Sequence, residues 1–117
     1  VVFDQVGTPT YAGDLAEAIM HIVSRVIRNQ IAFVAGIYHY SNEGVCSWYD
    51  FAMEIMQEAG LNCKVNAILS RDFPSVAKRP FYSVLDKSKI KEAYNLTIPY
   101  WRCSLKKCME ILLKSTE

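Results

Sequence analysis

The stretch from Asp4 to Ala16 constrains the fold most, because it joins a short apolar strand to a long helix. Gly7 and Pro9 predict a turn, since glycine tolerates a positive φ and proline fixes its own φ. Thr10 is expected to cap the helix with its hydroxyl group. Four polar side chains lie where the strand ends: Asp4, Gln5, Thr8 and Thr10. Ligands bind at this edge of open α/β sheets, so the stretch is a candidate binding site, with an ordinary connecting loop as the alternative.

Hydrophobic periodicity predicts four helices and three short strands. The helices are expected at 11–29, 47–59, 87–94 and 100–114, and the strands at 1–3, 36–41 and 64–69. Ser47 and Asp50 have the spacing of a capping box, and Gly60 suits the position after a helix end. Strand, helix and strand in succession predict a right-handed crossover, so 1–3 and 36–41 are expected to pair in parallel. We therefore expect one α/β domain over residues 1–117, with short parallel strands covered by helices.

Two helices carry apolar stripes that are expected to be buried. The first stripe consists of Leu15, Ile19, Ile22, Val23 and Val26, and the last of Trp101, Leu105, Cys108, Met109 and Leu112. Asp14 is expected to support the N-terminus of the first helix through its charge.

Composition limits the classes of function. The 117 residues have a formal net charge of +1, with 51% hydrophobic and 21% charged residues. These values indicate a globular fold and give no electrostatic case for binding nucleic acid or an anionic membrane. The longest apolar run, at 31–38, is too short to span a bilayer. The chain begins with Val1 rather than Met, so we expect a piece of a longer, cytoplasmic protein.

The four cysteines do not predict a metal site. They are Cys46, Cys63, Cys103 and Cys108, which form no C-x-x-C motif and have no histidine at a zinc-finger spacing. Reduced structural thiols are expected, as is usual in the cytoplasm.

Four sequence blocks occur in order along the chain. They are D-Q-V-G-T-P-T-Y-A-G-D-L-A at 4–16, G-I-Y-H-Y-S-N-E-G-V-C-S-W-Y-D-F-A at 36–52, A-K-R-P-F-Y-S-V-L-D at 77–86, and Tyr100-Trp101-Arg102 followed by Leu105. Together they resemble the dTDP-4-dehydrorhamnose reductases, which are extended short-chain dehydrogenase/reductases. The resemblance covers nearly the whole chain and implies the C-terminal, substrate-binding portion of such an enzyme.

Two motifs of that superfamily do not occur in the sequence. They are the G-x-x-G-x-x-G loop, which lets a pyrophosphate approach a helix N-terminus, and the Tyr-x-x-x-Lys pair, in which lysine lowers the pKa of the phenol. The resemblance therefore implies that NADPH is bound by an N-terminal Rossmann part outside this chain. No catalytic residue, cofactor or metal is expected in the 117 residues, which alone should lack reductase activity. The expected partners are a dTDP-sugar, that Rossmann part and a second copy in a homodimer.

Arg79 is the leading candidate for a substrate contact. Its guanidinium suits phosphate oxygens, and Pro80 keeps it in an extended segment. The resemblance implies that Arg79 approaches the diphosphate of the nucleotide sugar, while a surface ion pair is the alternative. Five further residues are candidate substrate contacts: Gln5, Thr8, Thr10, Asn42 and Trp48. For Trp48, packing of the helix start against the sheet is the alternative.

The resemblance implies hydride transfer from NADPH to C4 of dTDP-4-dehydro-L-rhamnose by the complete protein, giving dTDP-L-rhamnose. Three alternatives stay open. They are another NAD(P)-dependent nucleotide-sugar reductase or epimerase, a noncatalytic relative such as the regulatory subunit of methionine adenosyltransferase, and a plain interaction module. The last leaves the four ordered blocks unexplained.

Overall fold

A computed structural model describes residues 1–115 of the chain. Its elements are β1 (Val6–Gly7), α1 (Ala12–Ile27), β2 (Cys46–Ser47), α2 (Trp48–Glu58), α3 (Ser88–Tyr94) and α4 (Trp101–Lys114), with a 3₁₀ turn at Ser70–Asp72. The two strands pair antiparallel, with Val6 opposite Ser47 and Gly7 opposite Cys46. The predicted α/β class is confirmed, with helices dominating over a small amount of sheet.

Local signals set the boundaries of α2. The Asp50 N–H donates to Ser47 Oγ at 3.0 Å, and the Ser47 N–H donates to Asp50 Oδ2 at 2.9 Å. The predicted capping box is therefore confirmed. Gly60 follows the helix with a φ of +62°, a conformation that favours glycine.

The predicted cap of α1 is wrong. Tyr11 rather than Thr10 is the N-cap residue, and its own side chain makes no capping hydrogen bond. The Tyr11 N–H instead donates to Oδ1 of Asn42 at 2.7 Å. A residue 31 positions away thus does the work that sequence proximity assigned to Thr10.

The predicted parallel pairing of 1–3 with 36–41 is also wrong. Val2 forms a parallel bridge with Ile68, and hydrogen bonds join the Phe3 N–H to the Ile68 carbonyl at 3.1 Å and the Ile68 N–H to the Val1 carbonyl at 2.9 Å. Residues 36–41 form no strand, and the strand expected at 64–69 is reduced to this one bridge. Ile68 bonds the Val1 carbonyl and the Phe3 N–H, and the Tyr49 N–H donates to the Val2 carbonyl, so these three groups are not available to 36–41.

Side chains of α3 bond the backbone just before and within 36–41. Lys89 Nζ donates to the Ile37 carbonyl at 2.9 Å, and the Tyr94 hydroxyl donates to the Val34 carbonyl at 2.9 Å. These bonds satisfy polar groups that a sheet would otherwise satisfy.

The segment at 81–83 lies along the other edge of β1. The Val6 N–H donates to the Phe81 carbonyl at 2.8 Å, and the Ser83 N–H donates to the Val6 carbonyl at 2.8 Å. Gly7 lies within β1 and has no positive φ, so the predicted turn at this residue is wrong. Glycine is needed there for close approach, because an added Cβ would lie 2.8 Å from Ser83 Oγ.

Two apolar clusters hold the helices. In the first, Phe51 and Ile55 of α2 pack on Trp101, Leu105 and Met109 of α4. In the second, α3 contributes Ile90 and Tyr94, which pack with Ile98 against the end of α1 and the residues after it. The buried core therefore consists of two separate clusters, one between α2 and α4 and one around α3.

The expected burial of the α1 stripe is wrong in part. Ile19 and Val23 are 51% and 42% exposed, whereas Asp14 and Ala18 are buried. The stripe of α4 is buried at Trp101 but exposed at its end. The radius of gyration is 17.2 Å, against about 13 Å for a compact domain of this length. An elongated chain of this size has too little interior to cover every apolar face.

Ser47→Ala should lower the free energy of unfolding by about 0.5–2 kcal/mol, because the Asp50 N–H loses its acceptor. Urea unfolding followed by circular dichroism measures the change. Ser24→Ala is the matched control, since Ser24 lies inside α1 and its hydroxyl bonds only the His21 carbonyl, at 3.2 Å. Alanine favours helices, so the control should lose nothing. Equal losses in the two variants would contradict the capping argument.

Candidate functional site

The loop that begins at Asn42 is fixed from inside the protein. The Asn42 side chain is fully buried. Its Nδ2 donates to Asp14 Oδ2 at 2.6 Å and to Ser104 Oγ at 2.8 Å. The same amide nitrogen lies 3.2 Å from the Pro99 carbonyl, and Oδ1 accepts from the Tyr11 N–H. One side chain therefore joins the start of α1, the start of α4 and the segment between α3 and α4.

A buried carboxylate supports this junction. Asp14 lies in the first turn of α1, as expected, but its Oδ2 also accepts a hydrogen bond from the Ser104 hydroxyl. Lys107 Nζ lies 3.8 Å from Oδ1. The charge of Asp14 thus acts across two helices and not only on the N-terminus of its own helix.

Two lysines hold the outer side of the loop. Lys87 is buried and donates to the Asn42 carbonyl at 2.8 Å. Its Nζ lies 3.3 Å from Glu43 Oε2, and Lys91 Nζ lies 2.8 Å from Glu43 Oε1. The hydrogen bond from Lys91, reinforced by Lys87, lowers the pKa of Glu43, so this carboxylate is ionised at neutral pH.

Gly44 allows the loop to turn against α4. Its φ is +89°, and an added Cβ would collide with the ring of Tyr100. The Thr8 hydroxyl donates to the Gly44 carbonyl at 2.6 Å. The turn therefore sets the position of the stretch that contains Thr8.

A cavity of about 270 Å³ opens beside β1, the start of α2 and the extended segment at Arg79. Five of the six predicted site residues line it: Gln5, Thr8, Thr10, Trp48 and Arg79. These residues are far apart in sequence. The pairing of Val6 with Ser47 on one edge and with 81–83 on the other brings them together.

A second, larger cleft of about 950 Å³ adjoins the first. Gln5, Trp48 and Arg79 line both, so they form the boundary between them. Arg71 and Lys78 add two further cations to the larger cleft. The pair of cavities suits an extended anionic ligand, whose charge would lie near this boundary.

Arg79 and Trp48 are accessible at that boundary. Trp48 is 54% exposed, which leaves much of its ring available for contact. Arg79 is exposed and forms no ion pair within residues 1–115. The ion-pair alternative for Arg79 therefore has no partner in the described part of the chain.

The assignment of Asn42 as a ligand contact is corrected by the structure. Its amide is fully buried and both ends of it are already hydrogen-bonded. Asn42 is adjacent in sequence to Ser41, which does line the cavity. Asn42 therefore supports the cavity wall from inside the protein and does not line the cavity.

Sequence reasoning missed the serines at this site, which are Ser41, Ser47 and Ser83 in the smaller cavity and Ser70 and Ser75 in the larger one. Ser83 lines the smaller cavity, and Ser70 lines the larger one and accepts a hydrogen bond from Gln5 Nε2 at 2.9 Å. Ser83 lies within the third sequence block, and Ser70 directly follows a predicted strand. These two sequence features could have identified Ser83 and Ser70 as candidate site residues.

The smaller cavity offers a guanidinium, hydroxyl groups and an amide to a ligand. Its described lining contains no histidine, aspartate or glutamate. Burial raises the pKa of the Cys46 thiol to about 11, so this thiol is not a nucleophile at neutral pH. Within residues 1–115, no group of three His, Cys, Asp or Glu side chains could hold a metal ion. In the same residues, no helix has the length and hydropathy needed to cross a membrane.

Comparison with known proteins identifies the family. The sequence model of the RmlD substrate binding domain matches residues 1–114. The chain belongs to the RmlD substrate binding domain family. The family resemblance deduced from the four sequence blocks is thus confirmed.

Relatives of this RmlD domain include longer reductases. A dTDP-4-dehydrorhamnose reductase of Aggregatibacter actinomycetemcomitans is 41% identical over 112 residues, covering 91% of this chain and 38% of the relative. The spore coat polysaccharide biosynthesis protein SpsK of Bacillus subtilis is 40% identical over 110 residues, covering 94% of this chain and 36% of the relative. The RmlD domain therefore spans well under half the length of these relatives.

Solved structures agree with this assignment. A dTDP-4-dehydrorhamnose reductase of Clostridium acetobutylicum matches with a TM-score of 0.79 at 40% identity, covering 97% of this chain and 38% of that one. The Bacillus anthracis dTDP-4-dehydrorhamnose reductase, solved in complex with NADP, matches with a TM-score of 0.77 at 33% identity over 92% of this chain and 36% of that one. The small sheet and helices described above are thus the fold of this part of the reductases.

Asn42→Ala should lower the free energy of unfolding of the RmlD domain by about 2–5 kcal/mol, because the Tyr11 N–H and the Asp14 carboxylate both lose buried partners. Thermal and urea unfolding measure the loss. Asn66→Ala is the matched control at an exposed position, where a change within about 0.5 kcal/mol is expected. Similar small changes in both variants would show that Asn42 does not hold the loop.

Proposed function

We propose that this chain is the dTDP-sugar-binding portion of a dTDP-4-dehydrorhamnose reductase, which reduces dTDP-4-dehydro-L-rhamnose to dTDP-L-rhamnose with NADPH. The observation that carries the proposal is Arg79, a cation with no ion pair within residues 1–115 at the boundary of two adjoining cavities in an RmlD domain. The names of the reductase relatives supply the substrate class.

The charge of the ligand fits this boundary. A dTDP-sugar carries its diphosphate between a nucleoside and a sugar, and the two cavities lie on either side of Arg79. A guanidinium can bond two phosphate oxygens at once. Trp48 offers an exposed aromatic face at the same boundary, suited to stacking on a flat ring. The sugar and the nucleoside would thus enter different cavities.

The described residues do not fit NADPH. No G-x-x-G-x-x-G loop precedes α1, and the Tyr11 N–H at its start is already bonded to Asn42. We therefore assign the cofactor to an N-terminal Rossmann part of the complete protein, where it supplies the hydride for the sugar. The residues described here bind and orient the nucleotide sugar.

The same part of the complete protein would cover the exposed apolar surface. Ile19, Val23 and Ile27 leave an apolar face on α1 open, with Ile27 74% exposed. A face of this kind usually packs against a partner. The Rossmann part is the partner that the reductase proposal requires. A homodimer and a cytoplasmic location stay predictions.

The complete protein should oxidise NADPH in the presence of dTDP-4-dehydro-L-rhamnose, whereas the 117-residue chain alone should not. The decrease in the absorbance of the reduced nicotinamide measures the rate of NADPH oxidation. Denatured protein is the control. Activity of the 117 residues would contradict the division of labour. An inactive complete protein that binds dTDP-sugar would support the noncatalytic alternative instead.

Arg79→Ala in the complete protein should weaken binding of dTDP about 10- to 150-fold, because a charge-assisted contact of roughly 1.5–3 kcal/mol is lost. Arg79→Lys should recover only part of the affinity, since a point charge replaces a planar fork. Calorimetric titration measures both. The melting temperature should not change, because Arg79 is exposed and forms no ion pair in the described part of the chain, residues 1–115.

Arg28→Ala is the matched control for charge, since Arg28 is exposed at the end of α1 and does not line either cavity. Its affinity for dTDP should equal that of the wild type. Equal affinity in the Arg79 variants as well would remove Arg79 from the site.

A further inference from the structure

Gln5 is held by a directed chain of hydrogen bonds. Its Nε2 donates to Ser70 Oγ at 2.9 Å. The Ser70 hydroxyl donates to Asp4 Oδ1 at 2.6 Å, and the Ser70 N–H donates to both oxygens of Asp4 at 2.9 and 3.1 Å. These residues belong to two segments about 65 positions apart, so the contact exists only in the folded chain.

The chemistry of the three groups fixes the direction of the chain. The hydrogen bond from the Ser70 side chain is the largest cause that lowers the pKa of Asp4, which is therefore an ionised acceptor at neutral pH. Ser70 has one hydroxyl proton and gives it to Asp4. Its oxygen can then only accept from Gln5, so the NH₂ end of the Gln5 amide must face Ser70.

We propose that Gln5 is a fixed hydrogen-bond acceptor for the ligand, and that Ser70 and Asp4 are the residues that position it. One N–H of Nε2 is bonded to Ser70, which fixes Oε1 at the opposite side of the amide, and Gln5 lines both cavities. A group that contacts Oε1 must therefore be a donor, while the second N–H of Nε2 stays available to an acceptor. An amide without this restraint could rotate by half a turn and exchange the positions of Oε1 and Nε2. It would then bind donors and acceptors alike at the same place.

The ligand class follows from this polarity and rests on the proposed function. A dTDP-sugar carries two kinds of neutral donor, the imide N–H of the base and the hydroxyl groups of its sugars. Phosphate oxygens are acceptors and would not bind Oε1. Gln5 thus selects for a donor next to the diphosphate that Arg79 is proposed to bind.

The direct test is Gln5→Met in the complete protein, which keeps the length of the side chain and removes the acceptor. Affinity for dTDP-L-rhamnose, measured by calorimetry, should fall about 2- to 10-fold, as for loss of one neutral hydrogen bond. Gln57→Met is the matched control on the exposed face of α2 and should bind as the wild type does. Melting curves check that each variant is folded.

The positioning role is tested separately at Ser70. Ser70→Ala frees the Gln5 amide, and if its two orientations become equally populated, affinity should fall about twofold. Ser70→Thr keeps the hydroxyl and should restore wild-type affinity. A loss that threonine does not restore would assign Ser70 a merely structural role and overturn the positioning.

Titration with dTDP and with 3-methyl-dTDP distinguishes the two donors. If the donor is the imide N–H, the loss caused by Gln5→Met appears with dTDP and vanishes with the methylated ligand. If the donor is a sugar hydroxyl, Gln5→Met loses the same affinity for the methylated and the unmethylated nucleotide. The loss appears with dTDP when the hydroxyl belongs to the deoxyribose, and only with dTDP-L-rhamnose when it belongs to the rhamnose. Both results support the acceptor role.

Two results would overturn the inference, and they differ. If the wild type binds these nucleotides and Gln5→Met binds all of them equally well, Gln5 is not an acceptor for the ligand, while the proposed function stands. If the wild type binds none of them, the proposed function fails and this inference fails with it.

Discussion

The hydrogen bonds of Asn42 are the interaction on which the rest of the structure depends. The amide joins residues 28, 31, 57 and 62 positions away along the chain. It satisfies the N–H of Tyr11, the N-cap residue of α1, and one oxygen of a buried carboxylate, two groups that would be costly to leave unpaired. The loop that it fixes also carries the Gly44 carbonyl, which Thr8 bonds. The position of the cavity wall therefore follows from a residue that no ligand can reach.

Much of the helical structure could be predicted from the sequence, because its determinants are local. The capping box of Ser47 and Asp50 and the positive φ of Gly60 depend only on neighbouring residues. The strands could not be predicted in the same way. Val2 pairs with Ile68, which lies 66 positions away, so the pairing depends on the tertiary fold and not on neighbouring residues. The β-forming residues at 36–41 have the right pattern, but side chains of α3 bond the backbone there instead.

The candidate site shows the same division. Gln5 and Thr8 were candidates because they follow a predicted strand, and Arg79 because of the family resemblance. All three line one cavity. The sequence does not predict the distances between these side chains. Asn42 was misassigned because the sequence gives its residue type and its position after a predicted strand. It does not show whether the amide faces solvent or joins two helices.

Partners distinguish the cations that build the fold from Arg79, which lines the two cavities. Lys87 and Lys91 share Glu43, Lys107 lies near Asp14, and Arg102 Nε lies 3.2 Å from Glu54. Each of these charges is balanced by a carboxylate that is partly or fully buried, so removing it would leave that carboxylate without its partner. Arg79 is balanced by no such group within residues 1–115. An exposed guanidinium that lies beside two cavities, and that pairs with no carboxylate within residues 1–115, is available to an anion from outside the chain, which is the role proposed for it.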